Sequence, residues 1–187
     1  MKLETKTMET KRLILRQFIV EDAEAMYRNY GSDPNVIRFV TWPIYPDVGA
    51  AEYRMRYMVD GYAKGELTDW AMELKELGQV IGSIGVVGVN EKVNSVEVGY
   101  CIGSRWWNQG ITSEAFAAVI RYFFEETEVQ RIEAYHDPKN PGSGAVMRKC
   151  GLQYEGTRRQ ASRNNSGICD LAGYAILKSD YQKEHAL

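Results

Sequence analysis

The chain has 187 residues, 44% of them hydrophobic and 26% charged, with a net charge of −2; this is the composition of one globular domain, residues 1–187, able to bury about two thirds of the surface its unfolded form exposes. The slightly acidic balance supplies no field for a polyanion and speaks against a nucleic-acid partner. Three cysteines without C-x-x-C spacing read as buried thiols in a reducing compartment, and with no leader and no long apolar window a cytoplasmic location without a membrane partner is expected.

Apolar alternation at Leu13 and Leu15 predicts a first strand within Thr10–Arg16. A helix is expected from Asp22, with Ala23, Met26, Tyr27 and Tyr30 at helical spacing, ended by Gly31, Asp33 and Pro34. A second amphipathic helix runs from Asp47 to about Lys64. Its residues Tyr53, Arg56, Tyr57, Val59 and Tyr62 form either a packed face or one wall of an acceptor pocket. Trp70–Leu74, Gln79–Val87 and Lys92–Ile102 read as antiparallel strands, with turns at 76–78 and 89–91. Gly82, Gly85 and Gly88 do not make a dinucleotide fingerprint, because the spacing is wrong and another strand follows.

After these strands the segment Arg105-Trp-Trp-Asn-Gln-Gly-Ile-Thr-Ser-Glu-Ala115 leads into a helix from Ser113 to about Glu126, with Phe116, Val119, Ile120 and Phe123 inward. Backbone N–H groups at a helix start lack carbonyl partners, so this junction suits a phosphate, and Gly110 lets the backbone approach it. Gln130–Tyr135 is expected as a strand parallel to the 92–102 strand, since a helix joins them. Asn140 and Ser143 can cap a short helix with Ala145, Val146 and Cys150 inward, and Gly151 can end it. Leu152 and Tyr154 then begin a strand, and a last hairpin is expected. Arg158, Arg159 and Arg163 form a compact basic cluster on a solvated strand edge or beside the substrate.

The 105–115 segment resembles the coenzyme A pyrophosphate loop of the GNAT superfamily, Q/R-x-x-G-x-G/A, and in particular its ribosomal-protein N-acetyltransferase branch. Trp107, Gln109, Gly110, Glu114 and Ala115 match; Asn108 and Thr112 stand where glycine or another small residue is usual. The stretch from Asn140 to Gly156 resembles the second signature of the same superfamily. The resemblance covers essentially the whole chain. It implies an α/β (α+β) fold: a mixed, mostly antiparallel sheet of about seven strands, helices on both faces, and one βαβ cofactor-binding unit. It further implies an N-acetyltransferase that moves the acetyl group of acetyl-CoA directly to a primary amine, on a protein N-terminus or a small molecule. A homodimer is left open. The alternative is an acyl-CoA-binding module without turnover.

On this resemblance Tyr100, Cys101, Ile102, Asn108, Gln109, Gly110, Ile111, Thr112, Ser113, Asn140 and Ser143 hold the cofactor. Acetylation of an amine needs a base, a donor for the developing oxyanion and a proton for the departing thiolate. Glu97 is the candidate base, since alternation puts it with Gly99 on the face opposite Val96, Val98 and Tyr100. A backbone N–H near Tyr100 or Cys101 is the oxyanion donor. Many relatives carry a tyrosine as acid where this chain has Met147, which leaves Ser143 as the candidate hydroxyl. His136 and His185 lack metal-ligand spacing, so no metal is expected. Ser143, His136 and Asp137 are not a hydrolase triad, because no G-x-S-x-G elbow surrounds the serine.

Overall fold

In the computed structural model, which describes residues 3–185, the strands are β1 (Met8–Glu9), β2 (Leu13–Arg16), β3 (Asp69–Leu74), β4 (Gln79–Asn90), β5 (Ser95–Ile102), β6 (Arg131–His136), β7 (Gln153–Asn164) and β8 (Gly167–Leu177). They form one sheet in the order β1-β2-β3-β4-β5-β6-β8-β7, antiparallel throughout except where β5 meets β6. The seven expected strands are all present, and the two-residue β1 adds an eighth at the edge. The helices are α1 (Ala23–Met26), α2 (Pro34–Ile37), α3 (Val48–Lys64), α4 (Ile111–Glu126), α5 (Pro141–Lys149) and α6 (Lys178–His185). The side chain of His185 lies outside the described residues.

Period-two alternation sorts the apolar side chains onto the two faces of the sheet. Leu13, Leu15, Trp70, Met72, Ile84, Val96 and Val98 pack with Phe116, Val119 and Phe123 of α4, all almost fully buried. The opposite face carries Ala71 and Val80 under Met26 and Tyr30 and under Ala51, Met55 and Met58 of α3. The α3 helix has the expected limits, because the Asp47 carboxylate caps the Ala50 N–H at 2.8 Å and Gly65 closes it in the left-handed region. Its inward face differs from the expectation: Tyr53 and Tyr57 are exposed and the slimmer Ala51, Met55 and Met58 fill the core. After α1 the chain makes one wider turn through Gly31, with the Ser32 N–H reaching Tyr27 O at 3.0 Å, before the short α2.

Two boundaries also shift. Val89 and Asn90 pair with Val96 and Ser95, so the β4–β5 turn falls at residues 91–94 instead of 89–91. In α5, Pro141 occupies the first turn and sets the phase, so Gly144 and Met147 are buried while Ala145 faces solvent.

A buried ion cluster fastens the first helical segment to the sheet. The Arg16 guanidinium gives two 2.8 Å hydrogen bonds to Asp22 and a third, from Nε, to Glu73 at 2.6 Å. Asp22 also accepts the Ile19 N–H at 2.9 Å and is only 6% exposed. Arg16→Ala leaves this carboxylate buried without a cation, and a loss of about 3 kcal/mol is expected. Urea unfolding checks it: the midpoint falls at unchanged slope, and a loss below about 1 kcal/mol would reduce the cluster to an ordinary surface pair.

Candidate active site

The pairing of β5 with β6 is short. Ser95, Val96 and Glu97 match Arg131, Ile132 and Glu133, and no ladder pair follows, although β6 continues along β8 to His136. The edge of β5 from Val98 to Ile102 is therefore open towards β6. Just beyond it the chain turns at Gly110, which adopts φ 72°, and starts α4. The N–H groups of Ile111, Thr112 and Ser113 occupy the first turn, where a helix offers no acceptor, while the Glu114 N–H already reaches Gly110 O at 3.1 Å. Asn108 takes φ 59°, the left-handed region a glycine would fill, and asparagine tolerates it better than other side chains.

Two cations border this anion-ready turn. A β-carbon at Gly110 would lie 3.3 Å from Lys149 Nζ and 3.9 Å from Arg12 Nη2. Arg12 is held there by Glu114, which accepts its Nε at 2.7 Å and its N–H at 2.8 Å, and by Gln109 O at 2.9 Å. Burial works against the charge on Glu114, but hydrogen bonds from Thr10 and Arg12 outweigh it and hold its carboxyl below the ordinary value. The open strand edge, free helix-start N–H groups and two cations fit a thioester-bearing, phosphate-rich ligand such as acyl-CoA.

On the α4 face of β5, the Tyr100 hydroxyl donates to Ser143 O at 2.9 Å and accepts from Ser143 Oγ at 3.3 Å. Asn140 caps α5 through the Ser143 N–H at 3.4 Å. Glu97 stands on the other face. Its carboxylate leans over Gly88, whose β-carbon would be 3.5 Å from Oε2, and it makes no hydrogen bond or ion pair among the described residues. Burial, reinforced by the neighbouring Glu133, raises its carboxyl above the ordinary value against the opposing Arg158. Glu133 goes the other way: burial disfavours its charge, yet the Tyr135 hydroxyl at 2.7 Å and Arg131 at 3.4 Å hold its carboxyl down. Two adjacent glutamates thus separate into a partnered carboxylate and an unpartnered, more basic one.

The acetyltransferase (GNAT) domain family model matches residues 12–153. The chain belongs to this family. It is 30% identical over 175 residues to the uncharacterized N-acetyltransferase p20 of Bacillus licheniformis, covering 94% of this chain and 98% of that protein. It is 33% identical over 97 residues to the ribosomal-protein-serine acetyltransferase of Escherichia coli, covering 50% and 54%. Its fold is that of RimL, a ribosomal L7/L12 alpha-N-protein acetyltransferase solved with coenzyme A, with a TM-score of 0.81 at 16% identity over 92% of this chain and 98% of that one. The protein is an N-acetyltransferase that uses acetyl-CoA.

Around the GNAT site the structure adds residues that local sequence patterns do not disclose. Arg12 and Lys149 reach the loop from distant elements, Lys149 from within the Asn140–Gly156 stretch and Arg12 from near the start of the chain. Ile102 is buried in the core, so of this residue only the backbone faces the open edge. His136 is not placed as a base: Nδ1 meets Asp137 O at 2.8 Å, and Nε2 is shut against α5 at Gly144 without a partner. The Asp137 carboxylate is taken by Asn164 and the Lys139 N–H, each at 2.9 Å, so no triad with Ser143 assembles. Cys101, Cys150 and Cys169 are free and half-buried, and burial pushes the Cys101 thiol up to about 11. No group of three or more histidine, cysteine, aspartate or glutamate residues able to hold a metal exists among the described residues.

A cavity of about 330 Å³ opens on the Glu97 side of the sheet, between α1, α3 and the 41–45 loop. That loop is strapped by the tip of the β7–β8 hairpin: Asn165 Nδ2 donates to Ile37 O, Val40 O and Trp42 O at 2.8–3.0 Å, and Ser166 Oγ to Arg38 O at 3.0 Å. A larger hollow of about 770 Å³ lies between residues 3–5, Gln17 and the end of α3.

Acetyl-CoA at roughly a hundred times its Kd should stabilise the wild-type protein by about 2.7 kcal/mol. Gly110→Asp, which puts a carboxylate at the anion site on a left-handed backbone, should remain folded and lose this shift. Thermal melts with and without acetyl-CoA decide; a full shift in the variant would move the phosphate site elsewhere.

Proposed function

We propose that the acceptor is a primary amine, on a protein N-terminus or a small molecule, that Glu97 removes its proton, and that Ser143 serves the departing thiol. The observation that carries this reading is the unpartnered, half-buried Glu97 on one face of the open β5 edge, with Ser143 and Tyr100 on the other. Bound acetyl-CoA supplies an acetyl thioester. With the thioester in the gap between β5 and β6, the acceptor approaches from the Glu97 side and the sulfur leaves towards Ser143. Backbone N–H groups near Tyr100 or Cys101 face the acetyl oxygen as it gains negative charge. Ser143 Oγ, already linked to the Tyr100 hydroxyl, returns a proton to the sulfur, and Asn140 orients the pantetheine arm. The ribosomal-protein acetyltransferases among the relatives favour an N-terminal amine.

Acceptor-dependent thiol release from acetyl-CoA, followed over a panel of peptides and amines, tests the transfer; binding without such release would leave a sensor module. Within an active assay, Glu97→Gln should lower turnover by about two to four orders of magnitude near neutral pH. Because burial raises the Glu97 carboxyl, wild-type activity should climb with pH through a range above that of ordinary carboxylates, a limb the variant lacks. The deficit should then shrink towards the amine's own pKa, about 8 for an α-amino group and about 10.4 for a lysine. Ser143→Ala should cost less. Unchanged turnover of Glu97→Gln across that range would make the residue structural.

A further inference from the structure

The cavity beside β5 contains a carboxylate that the transfer chemistry above does not use. Asp69 opens β3 and is fixed by its backbone, with its N–H donating to the Thr5 hydroxyl at 3.1 Å and its carbonyl accepting from the Tyr62 hydroxyl at 2.8 Å. Its side chain is thereby committed to the cavity. Oδ1 is closed off from bulk solvent and has no hydrogen-bond partner among the described residues. A buried carboxylate oxygen left unpaired is costly, and native sites keep one where a ligand completes it. The remaining walls come from aromatic and thioether side chains, among them Tyr30, Trp42, Tyr45, Met55 and Met58.

The position of Asp69 relative to the cofactor strand is set by two glycines. Asp69, Gly85 and Gly99 are successive cross-strand partners on β3, β4 and β5. The Asp69 carboxyl leans over Gly85, where a β-carbon would stand 2.6 Å from Cγ. Paired Cα atoms lie about 5 Å apart, so one strand spacing separates the carboxyl from Gly99, over which the exposed Val87 side chain leans with Cγ1 3.0 Å from where a β-carbon would stand. A nitrogen resting on Asp69 is within reach of the open β5 edge.

Other ionisable groups around the carboxyl do not neutralise it. Arg54 of α3 shares the cavity but stacks its guanidinium over the Tyr57 ring at 5.1 Å and forms no ion pair with Asp69 among the described residues. Tyr30 is buried and Tyr62 and Cys101 are half-buried, and burial chiefly raises all three, so they keep their protons. Burial lifts the Asp69 carboxyl itself to about 7. A cation entering the cavity would restore its charge, and ring faces add to the attraction.

We propose that Asp69 is the acceptor-binding carboxylate, and that it receives the α-ammonium group of an apolar amino-acid unit whose side chain fills the aromatic and methionine walls. The cavity holds about ten water volumes, enough for one residue and too little for a folded segment. Arg54, the other charge, faces the carbonyl or carboxylate next to that amine. Glu97, two strands away on β5, then takes the proton, directly or through water, so this assignment rests on the transfer reading for its consequence but not for its binding step.

The test is calorimetric titration at pH 7 of the coenzyme A-bound protein with phenylalaninamide, Phe-Gly-Gly, N-acetyl-phenylalaninamide and Nα-acetyl-lysinamide. Phenylalaninamide or the tripeptide should bind wild type, with at least tenfold weaker binding to Asp69→Asn and to Trp42→Ala and undiminished coenzyme A affinity in both. The uncharged N-acetyl compound should not bind. Preference for the tripeptide would identify a chain N-terminus as the source of the amine, and preference for the amide a free small molecule. Equal affinity of Asp69→Asn and wild type, no binding of either amine to wild type, or equal binding of the lysine side-chain amine would overturn the proposal. A protein that binds phenylalaninamide through Asp69 yet releases no thiol would fail as a transferase at these acceptors while keeping this site.

Discussion

A parallel pair of strands that hold each other for three residues and then part is the constraint on which the site depends. Backbone N–H and C=O groups inside a fold are ordinarily paired, and a strand edge facing protein without a ladder is the exception. Here β5 leaves β6 after Glu97, although both strands continue. The α4 helix starts from the far end of β5, so the free N–H groups of its first turn line up with the free edge of the strand. The diphosphate and thioester ends of one extended ligand can then meet a single continuous run of main chain.

The same parting gives the chemistry two sides. Side chains along a strand alternate, so Tyr100, with Ser143 behind it, and Glu97 necessarily point away from each other. In an intact sheet they could not act on one bond. Where the strands separate, a thioester lying in the gap would be accessible from both faces, as the proposed transfer requires. Glu97 and Glu133 sit side by side at the last paired position, and their different partners divide the labour: Glu133 is tied down by Tyr135 and Arg131, and Glu97 is left basic.

Legibility in the sequence followed range. Features written in a few consecutive residues were readable: the limits of α3 from Asp47 to about Lys64, the loop before α4, the inward row Phe116, Val119, Ile120 and Phe123, and the Asn140 cap. The face of α3 was ambiguous, because Tyr53 and Tyr57 have helical spacing as good as that of Met55 and Met58, and competition for a tight interior decides between them. The eighth strand is two residues long and exists by virtue of pairing with β2. Contacts across a hundred residues, such as Arg12 with Glu114 and Gln109, leave no local trace. Asp69 reads in the sequence as a turn residue before a tryptophan strand, and only its neighbours across β4 and β5 show where it points.

The hairpin tip at Asn165 gives the architecture an unequal division of inheritance. The anion-ready turn and the open strand edge are built by α4, α5 and β5, whereas the rim of the cavity between α1 and α3 is held from outside by a two-residue tip reaching the carbonyls of residues 37–42. Changes confined to a surface hairpin can therefore reshape that rim while leaving the main chain at the phosphate turn and the open edge untouched.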